Sequence, residues 1–315
     1  MSRITNNILT NDFMANYNRN LTRLSDLQKQ MSSGREIDKP SDDPVRKVRS
    51  LQFYTSASVN EMYTQNANDA VSWMSTSDGA VSSVVDALTE IKTLINSAIK
   101  PAPNTSNQAI AEKVDKLVDE MVNLGNTQVG DRYIFAGQKD DVQPFTRDST
   151  TGVVTYSGTW DGQGGVADAG TICMKVSPGA VDTIRDKINL DGQQLFGTVD
   201  AAGVPLIFQQ LNDIVAHIKN GDATVLTNDL QTIDDQLDNV VLPAQTTLGS
   251  RQSVYETTQA RLKSDSITIE TDRSNNEDIN EAKASIDFSV ATNVYNATLS
   301  VGAKLLPNSL VDYLK

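Results

Sequence analysis

The chain has 315 residues and 34.2 kDa, and its 38% of hydrophobic residues can supply a core for two or three domains, although only 5% are aromatic. With 27 Lys and Arg against 40 Asp and Glu and a formal charge of -13, a polyphosphate or an anionic bilayer is excluded as a general partner. The single Cys173 leaves no intramolecular disulfide. The segment Met1 to Asn7 lacks the apolar run and cleavage site of a secretory signal, and no stretch is long and apolar enough to span a bilayer.

In chain order, Met14, Tyr17, Leu21, Leu24, Gln28 and Met31 step alternately by three and four residues, which predicts a long helix packed lengthwise on a partner. The stretch from Met31 to Pro44 then predicts a break. Gly34 can close the first helix in a left-handed conformation. Pro40 forces Lys39 out of helical angles, and Asp43 before Pro44 reads as an N-cap followed by a first-turn proline. An ordinary polar loop between two helices fits the same residues. From Pro44 a second helix carries Ala67, Ala70, Met74, Ser77, Val81, Val84, Leu88, Ile91, Ile95 and Ala98 on one stripe until Pro101 and Pro103. At a rise of about 1.5 Å per residue it approaches ~80 Å, the length of a rod rather than of a globular helix. Ile110, Val114, Leu117, Met121 and Leu124 predict a third helix running back, with Gly125 and Gly130 bracketing its exit.

From Asp131 the composition turns to Thr, Gly, Val and aromatic residues. Asp131 to Gly137 reads as a buried strand leading into an insert, and Val153 to Tyr156 and Thr171 to Val176 read as further strands. Asp161 to Gly165 is a turn rather than a nucleotide cradle, because no helical pattern follows to offer its N-terminus to phosphate. Helical spacing returns with Ile207, Leu211, Ile214, Val215 and Ile218. It turns at Asn220 to Asp222 and continues through Leu226, Leu230, Ile233, Leu237 and Val240 to a stop at Pro243. Leu248, Tyr255, Leu262 and Ile269 recur every seven residues in another long helix. Ile279, Ile286, Val290, Val294, Ala297 and Val301 extend its stripe, with a stutter after Ile286 that predicts an interruption there.

Three phrases carry a resemblance. Ser32-Ser33-Gly34-Arg35, then Ile37 and the charged turn with Asp42 and Asp43, resembles the N-terminal segment of bacterial flagellins and flagellar hook-associated proteins. Arg132 to Gly137, followed by Pro144 and Phe145, resembles the corresponding phrase of the hook-associated protein 3 family, the hook-filament junction proteins. Small residues, then Leu306-Pro307-Asn308 and spaced leucines to Lys315, resemble the C-terminus of flagellin-like axial proteins. The likeness covers both ends and one central phrase; residues 146 to 200 carry no signature.

Chemistry has little to work with. His217 stands alone among Ile214, Val215 and Ile218 and reads as a half-buried helix residue. Cys173 reads as a small core residue. Asp186 to Gly192 fails as a calcium loop, because Ile188 and Leu190 occupy positions that need oxygen ligands. Asp42 with Asp43 and Asp234 with Asp235 are adjacent carboxylates of an acidic chain, read as capping or solvated surface.

The expected fold is mainly α, a rod of long antiparallel coiled-coil-like helices from both termini with a small β-rich insert domain in the middle. Residues 1–43 and 279–315 form its terminal helices, residues 44–130 and 203–278 its helical rod, and residues 131–202 the insert. Ordering the last ~40 residues costs about 1–2 kcal/mol each, while each buried Leu or Val returns only about 1.5–3, so the terminal stripes need neighbours. The resemblance implies a structural adaptor joining hook to filament by self-assembly, with the terminal helices in the inner layer of a tube. A short flagellin that forms the filament itself is the alternative, and an enzyme carried on a helical rod the remaining one. The implied partners are further copies of the chain in a ring or short helical array, a neighbouring hook-associated protein, flagellin and a flagellar export chaperone. The implied location is extracellular, on the flagellum, after type III export without a cleaved signal; no cofactor, metal, nucleic acid or membrane insertion is expected. Candidate assembly residues are Gly34, Arg35, Asp42, Asp43, Val294, Ala297, Val301, Leu305, Leu306, Leu310 and Leu314.

Overall fold

Prolines and capping residues set the helix boundaries. The computed structural model describes residues 2–99, 104–166 and 169–305, so Leu306, Leu310 and Leu314 lie outside the described residues. The chain is mainly α: α1 (Ser2–Ser33), α2 (Pro44–Ala98), α3 (Asn104–Gly125), α4 (Gly192–Phe196), α5 (Leu206–Asn220), α6 (Ala223–Gln236), α7 (Leu242–Glu277) and α8 (Glu281–Leu305). Two antiparallel hairpins supply the described strands, β1 (Gln128–Val129) with β2 (Arg132–Tyr133) and β3 (Phe145–Arg147) with β4 (Val154–Tyr156). The chain divides into two compact units. A terminal unit comprises residues 1–60 and 265–315, and a central unit residues 61–264.

The central unit holds the core. The stripe predicted on α2 is buried from Ala67 to Ala98, and Ala111, Val114, Val118 and Met121 of α3 are buried with it. Phe145 packs edge-on to Phe196 at 5.0 Å and lies 4.9 Å from Tyr156, while Phe196 lies 4.9 Å from Phe208, so four aromatic residues fill the base of the insert. The Tyr156 hydroxyl donates to the Phe135 carbonyl at 2.8 Å and accepts from the Gly192 N–H at 3.1 Å. Burial pushes this phenol far above its usual range.

Several expectations need correction. Thr171 to Val176 is not a strand: it makes one isolated bridge, Cys173 with Lys187. The bridge has two backbone bonds, from the Met174 N–H to the Asp186 carbonyl and from the Ile188 N–H to the Ile172 carbonyl, each at 3.0 Å; beyond them side chains take over, since Asn189 accepts from the Ile172 N–H at 2.8 Å and Tyr255 donates to the Met174 carbonyl at 2.7 Å. Cys173 is half-buried rather than in the core. From Asp131 to Gly137 only Arg132 and Tyr133 pair as strand, although Ile134, Phe135 and Ala136 are fully buried. Gly125 does not close α3 in a left-handed conformation; a Cβ there would lie 2.7 Å from the Phe145 ring, so close approach is what requires glycine. Gly130, at φ +62°, turns the first hairpin.

Pro243 does not stop its helix either. α6 passes through a π turn at Leu237–Val241 straight into α7, with the Leu242 N–H donating to the Leu237 carbonyl. The wide turn holds an extra residue just before the proline, where an ordinary turn would set the ring against the carbonyl of Asn239. The predicted interruption after Ile286 is absent. The chain breaks instead at residues 278–280, where Asn280 accepts from the Lys283 N–H at 3.0 Å and caps α8.

Candidate assembly site

In the terminal unit the break between α1 and α2 is built from the residues that predict it. Gly34 adopts φ +71°, and its N–H donates to the Gln30 carbonyl at 2.9 Å. Asp43 accepts from the N–H groups of Val45 and Arg46, each at 3.0 Å, and caps α2. Asp42 accepts from the N–H of Lys39 at 2.8 Å and of Asp38 at 3.3 Å. The Lys39 hydrogen bond above all holds its carboxyl below the usual carboxylate range.

Beyond Gly34 the chain pairs with the end of α7. The Glu36 N–H donates to the Glu277 carbonyl at 2.8 Å, and the Ile279 N–H donates to the Gly34 carbonyl at 3.0 Å. Ile37 is buried here. Glu277 is the centre, its side chain 2% exposed. Its carboxylate accepts from the Ser50 hydroxyl at 2.6 Å and the Tyr54 hydroxyl at 2.7 Å, with the guanidiniums of Arg273 at 3.8 Å and Arg35 at 4.0 Å. Burial acts to raise its pKa, but these donors and the two cations outweigh it and hold Glu277 below the ordinary Glu value of 4.5. Burial and then the Glu277 carboxylate push the Tyr54 phenol up, which keeps it a donor. Arg46 donates to the Asn276 carbonyl at 2.6 Å, and the Asn276 amide returns a bond to the Arg46 carbonyl at 3.0 Å. Ser50, Tyr54, Arg273, Asn276 and Glu277 escape sequence reasoning, because Ser50 and Glu277 are 227 residues apart and no periodicity links them.

α1 and α8 run antiparallel along the same unit. The Tyr17 and Tyr295 hydroxyls meet at 3.2 Å, and the Asn20 amide donates to Thr298 at 2.9 Å. Gly302 is buried, and a Cβ on it would lie 2.3 Å from the Phe13 ring, so this small residue permits close approach. Of the positions predicted on α8, Val294 and Val301 are 45% and 50% exposed, and Ala297 is exposed as well. Leu305 ends the helix. The structure brings Gly34, Arg35, Asp42 and Asp43 together at the break and does not gather the α8 residues with them.

Apolar side chains are distributed unevenly. Of the large hydrophobic residues that are exposed, 14 of 21 lie in the terminal unit, whereas Ile37, Ala284 and Ala291 are its only buried apolar residues among those described. Among its described residues this unit therefore exposes many large apolar side chains and buries few.

Residues 4–140 match the model of the bacterial flagellin N-terminal helical region. The chain carries a flagellin-type N-terminal region. The flagellar hook-associated protein 3 of Escherichia coli (strain K12) is 31% identical over 121 residues, which are 38% of this chain and 38% of that protein. This chain thus spans less than half the length of that curated relative. Two solved structures share the fold. A putative flagellar hook-associated protein from Vibrio parahaemolyticus superposes with a TM-score of 0.63 at 16% identity, over 75% of this chain and 100% of that one. The flagellar junction protein FlgL from Legionella pneumophila gives a TM-score of 0.55 at 14% identity, over 73% and 100%.

The other singled-out side chains have partners of their own. His217 Nδ1 lies 2.9 Å from Asp229, Asp234 pairs with Lys92, and Asp186 is paired with Arg185 at 2.8 Å. No group of three or more metal-binding side chains occurs among the described residues.

Proposed function

We propose that the chain is a structural subunit of the bacterial flagellum that joins hook to filament and assembles through its terminal unit. The observation that carries this reading is the number of large apolar side chains that unit exposes beside the few it buries among its described residues; such a surface is stabilised by neighbours, and a contact repeated by screw symmetry supplies them. The printed names of the relatives, hook-associated protein 3 and flagellar junction protein, point the same way. In this reading residues 1–43 and 279–315 form the inner layer of a tube, residues 44–130 and 203–278 a rod around it, and residues 131–202 an outward insert. Its partners are other copies of the chain, a neighbouring hook-associated protein and flagellin. It acts outside the cell after type III export, with an export chaperone covering the apolar C-terminal helix beforehand.

Complementation tests it. A strain lacking the gene, supplied with the parent chain, should carry filaments; supplied with Val294→Asp combined with Val301→Asp, it should show bare hooks and flagellin in the medium. Filaments held as firmly as those of the parent under shear would overturn the reading. A short flagellin is the second reading, favoured by the match to the flagellin N-terminal region. Antibody labelling decides between them: a band at the hook end belongs to an adaptor, and labelling along the whole filament to a flagellin.

A further inference from the structure

The π turn between α6 and α7 borders a hollow of about 420 Å³ in the central unit. Leu190, Leu206, Val240, Pro243 and Ala244 line it, so its walls are largely apolar, and its volume is of the class that holds small ligands. Gly197, at φ +83° just past α4, lines it too.

Two polar groups at this hollow are unmatched. Arg251 lines it and is half-buried; its guanidinium donates to the Asn189 carbonyl at 3.0 Å and makes no ion pair among the described residues. Burial lowers the pKa of Arg251 although the carboxylates of Asp161 and Asp191 act on it from farther away, so the cation is short of counter-charge. That sets it apart in a chain with 40 acids against 27 Lys and Arg. Beside Gly197, Gln236 is 7% exposed and its carboxamide oxygen has no hydrogen-bond partner among the described residues. A Cβ on Gly197 would lie 3.7 Å from that oxygen. A cation without an anion and an acceptor without a donor thus border one apolar hollow, and a ligand that brings both an anion and a donor satisfies the pair.

We propose that this hollow is a binding site for an N-acylated aliphatic amino acid, with the ligand carboxylate on Arg251, its amide N–H directed past Gly197 to the Gln236 oxygen, and its aliphatic side chain against Leu190, Leu206 and Val240. Each part of the ligand answers one part of the wall. A guanidinium with free donors takes a carboxylate in two parallel bonds, the carboxamide oxygen takes an N–H, and the apolar walls take a branched hydrocarbon of the size of Leu or Val. The same chemistry comes as a free acid or as the carboxyl end of a polypeptide whose last residue is aliphatic. The site lies wholly within residues 61–264 and does not depend on how the terminal unit assembles.

Isothermal titration of the full chain with N-acetyl-L-leucine tests it. Saturable binding at one site per chain is expected, and N-acetyl-L-leucinamide, which has the same body without the charge, should bind about tenfold more weakly or worse. Arg251→Gln should weaken the acid by a similar factor and leave the amide unchanged. Thr247→Trp, on the exposed rim of the hollow, should block both ligands while the chain melts like the parent. Because Arg251 also holds the Asn189 carbonyl, the comparison of acid with amide on the parent chain and the rim variant carry the test if Arg251→Gln melts early. A short peptide ending in a free Leu carboxylate separates the sources: tighter binding than the acid assigns the site to a chain end, and weaker binding to a free acid. No binding of either ligand at millimolar concentration, equal binding of acid and amide, or binding of the acid by Thr247→Trp as tight as by the parent overturns the site. The junction reading stands in each of those cases, since it is read from attached filaments and not from this titration.

Discussion

Glu277 is where single residues matter most to the terminal unit. An ionised carboxylate 2% exposed persists because two hydroxyls donate to it and two guanidiniums lie near; removing its charge leaves those groups facing a poor acceptor. Glu277→Gln should therefore cost about 2–3 kcal/mol at neutral pH, read as earlier proteolysis near residues 33–60 and 265–281. Its folded-state pKa lies below 4.5. The stability it confers is thus fully present above pH 4.5 and lost as pH falls through the lower folded value. The gap between parent and Glu277→Gln should narrow below pH 4.5; a constant gap would mean that the carboxylate's charge is not what holds the site. Gly34 and Asp43 were legible in the sequence because a left-handed closure and an N-cap are local and use the few residue types suited to them. Glu277 was not, since the sequence does not show what a lone Glu in an acidic helix faces after 227 residues of intervening chain.

Among elements, the π turn between α6 and α7 was illegible for a related reason. Leu237 to Val241 has ordinary helical composition, and Pro243 looks like a stop until one extra residue in the preceding turn makes room for its ring. Deleting Asn239 should return the turn to α geometry and restore the clash, lowering the stability of the central unit by about 3 kcal/mol. Adding Pro243→Ala to the deletion should recover most of it. Thermal melting of the three chains decides the matter, and a deletion not rescued by Pro243→Ala would assign the cost to something other than the proline. The helices were legible over long stretches because their stripes repeat many times; the break at residues 278–280 was missed because the stripe continues through it while the backbone turns to pair with Gly34. Thr171 to Val176 misled in the opposite direction: its backbone pairs with residues 186–188 over a single bridge, and side chains of Asn189 and Tyr255 take the groups on either side of it where a strand would continue.

For the whole molecule, charge and burial divide along the same line. Residues 1–60 and 265–315 hold 13 of the 27 cations and 14 of the 40 acids, so nearly all of the net charge of -13 belongs to the central unit, which also contains almost all of the buried apolar residues. A chain comprising residues 61–264 should fold alone and show the main melting transition of the full chain, remaining soluble through its charge; aggregation or loss of cooperative melting would show that the terminal segments contribute to the core. The hydrogen bond between Asn68 and Gln259 then has a consequence for the order of folding. Meeting Ser50 with Glu277 in an unstructured chain closes a loop of 227 residues, but once Asn68 and Gln259 are together only short arms on either side remain to be ordered. The difference in closure entropy is about 1.5 kcal/mol, so the central unit acts as a clasp, and a substitution that opens it also unlatches the terminal helices without touching them.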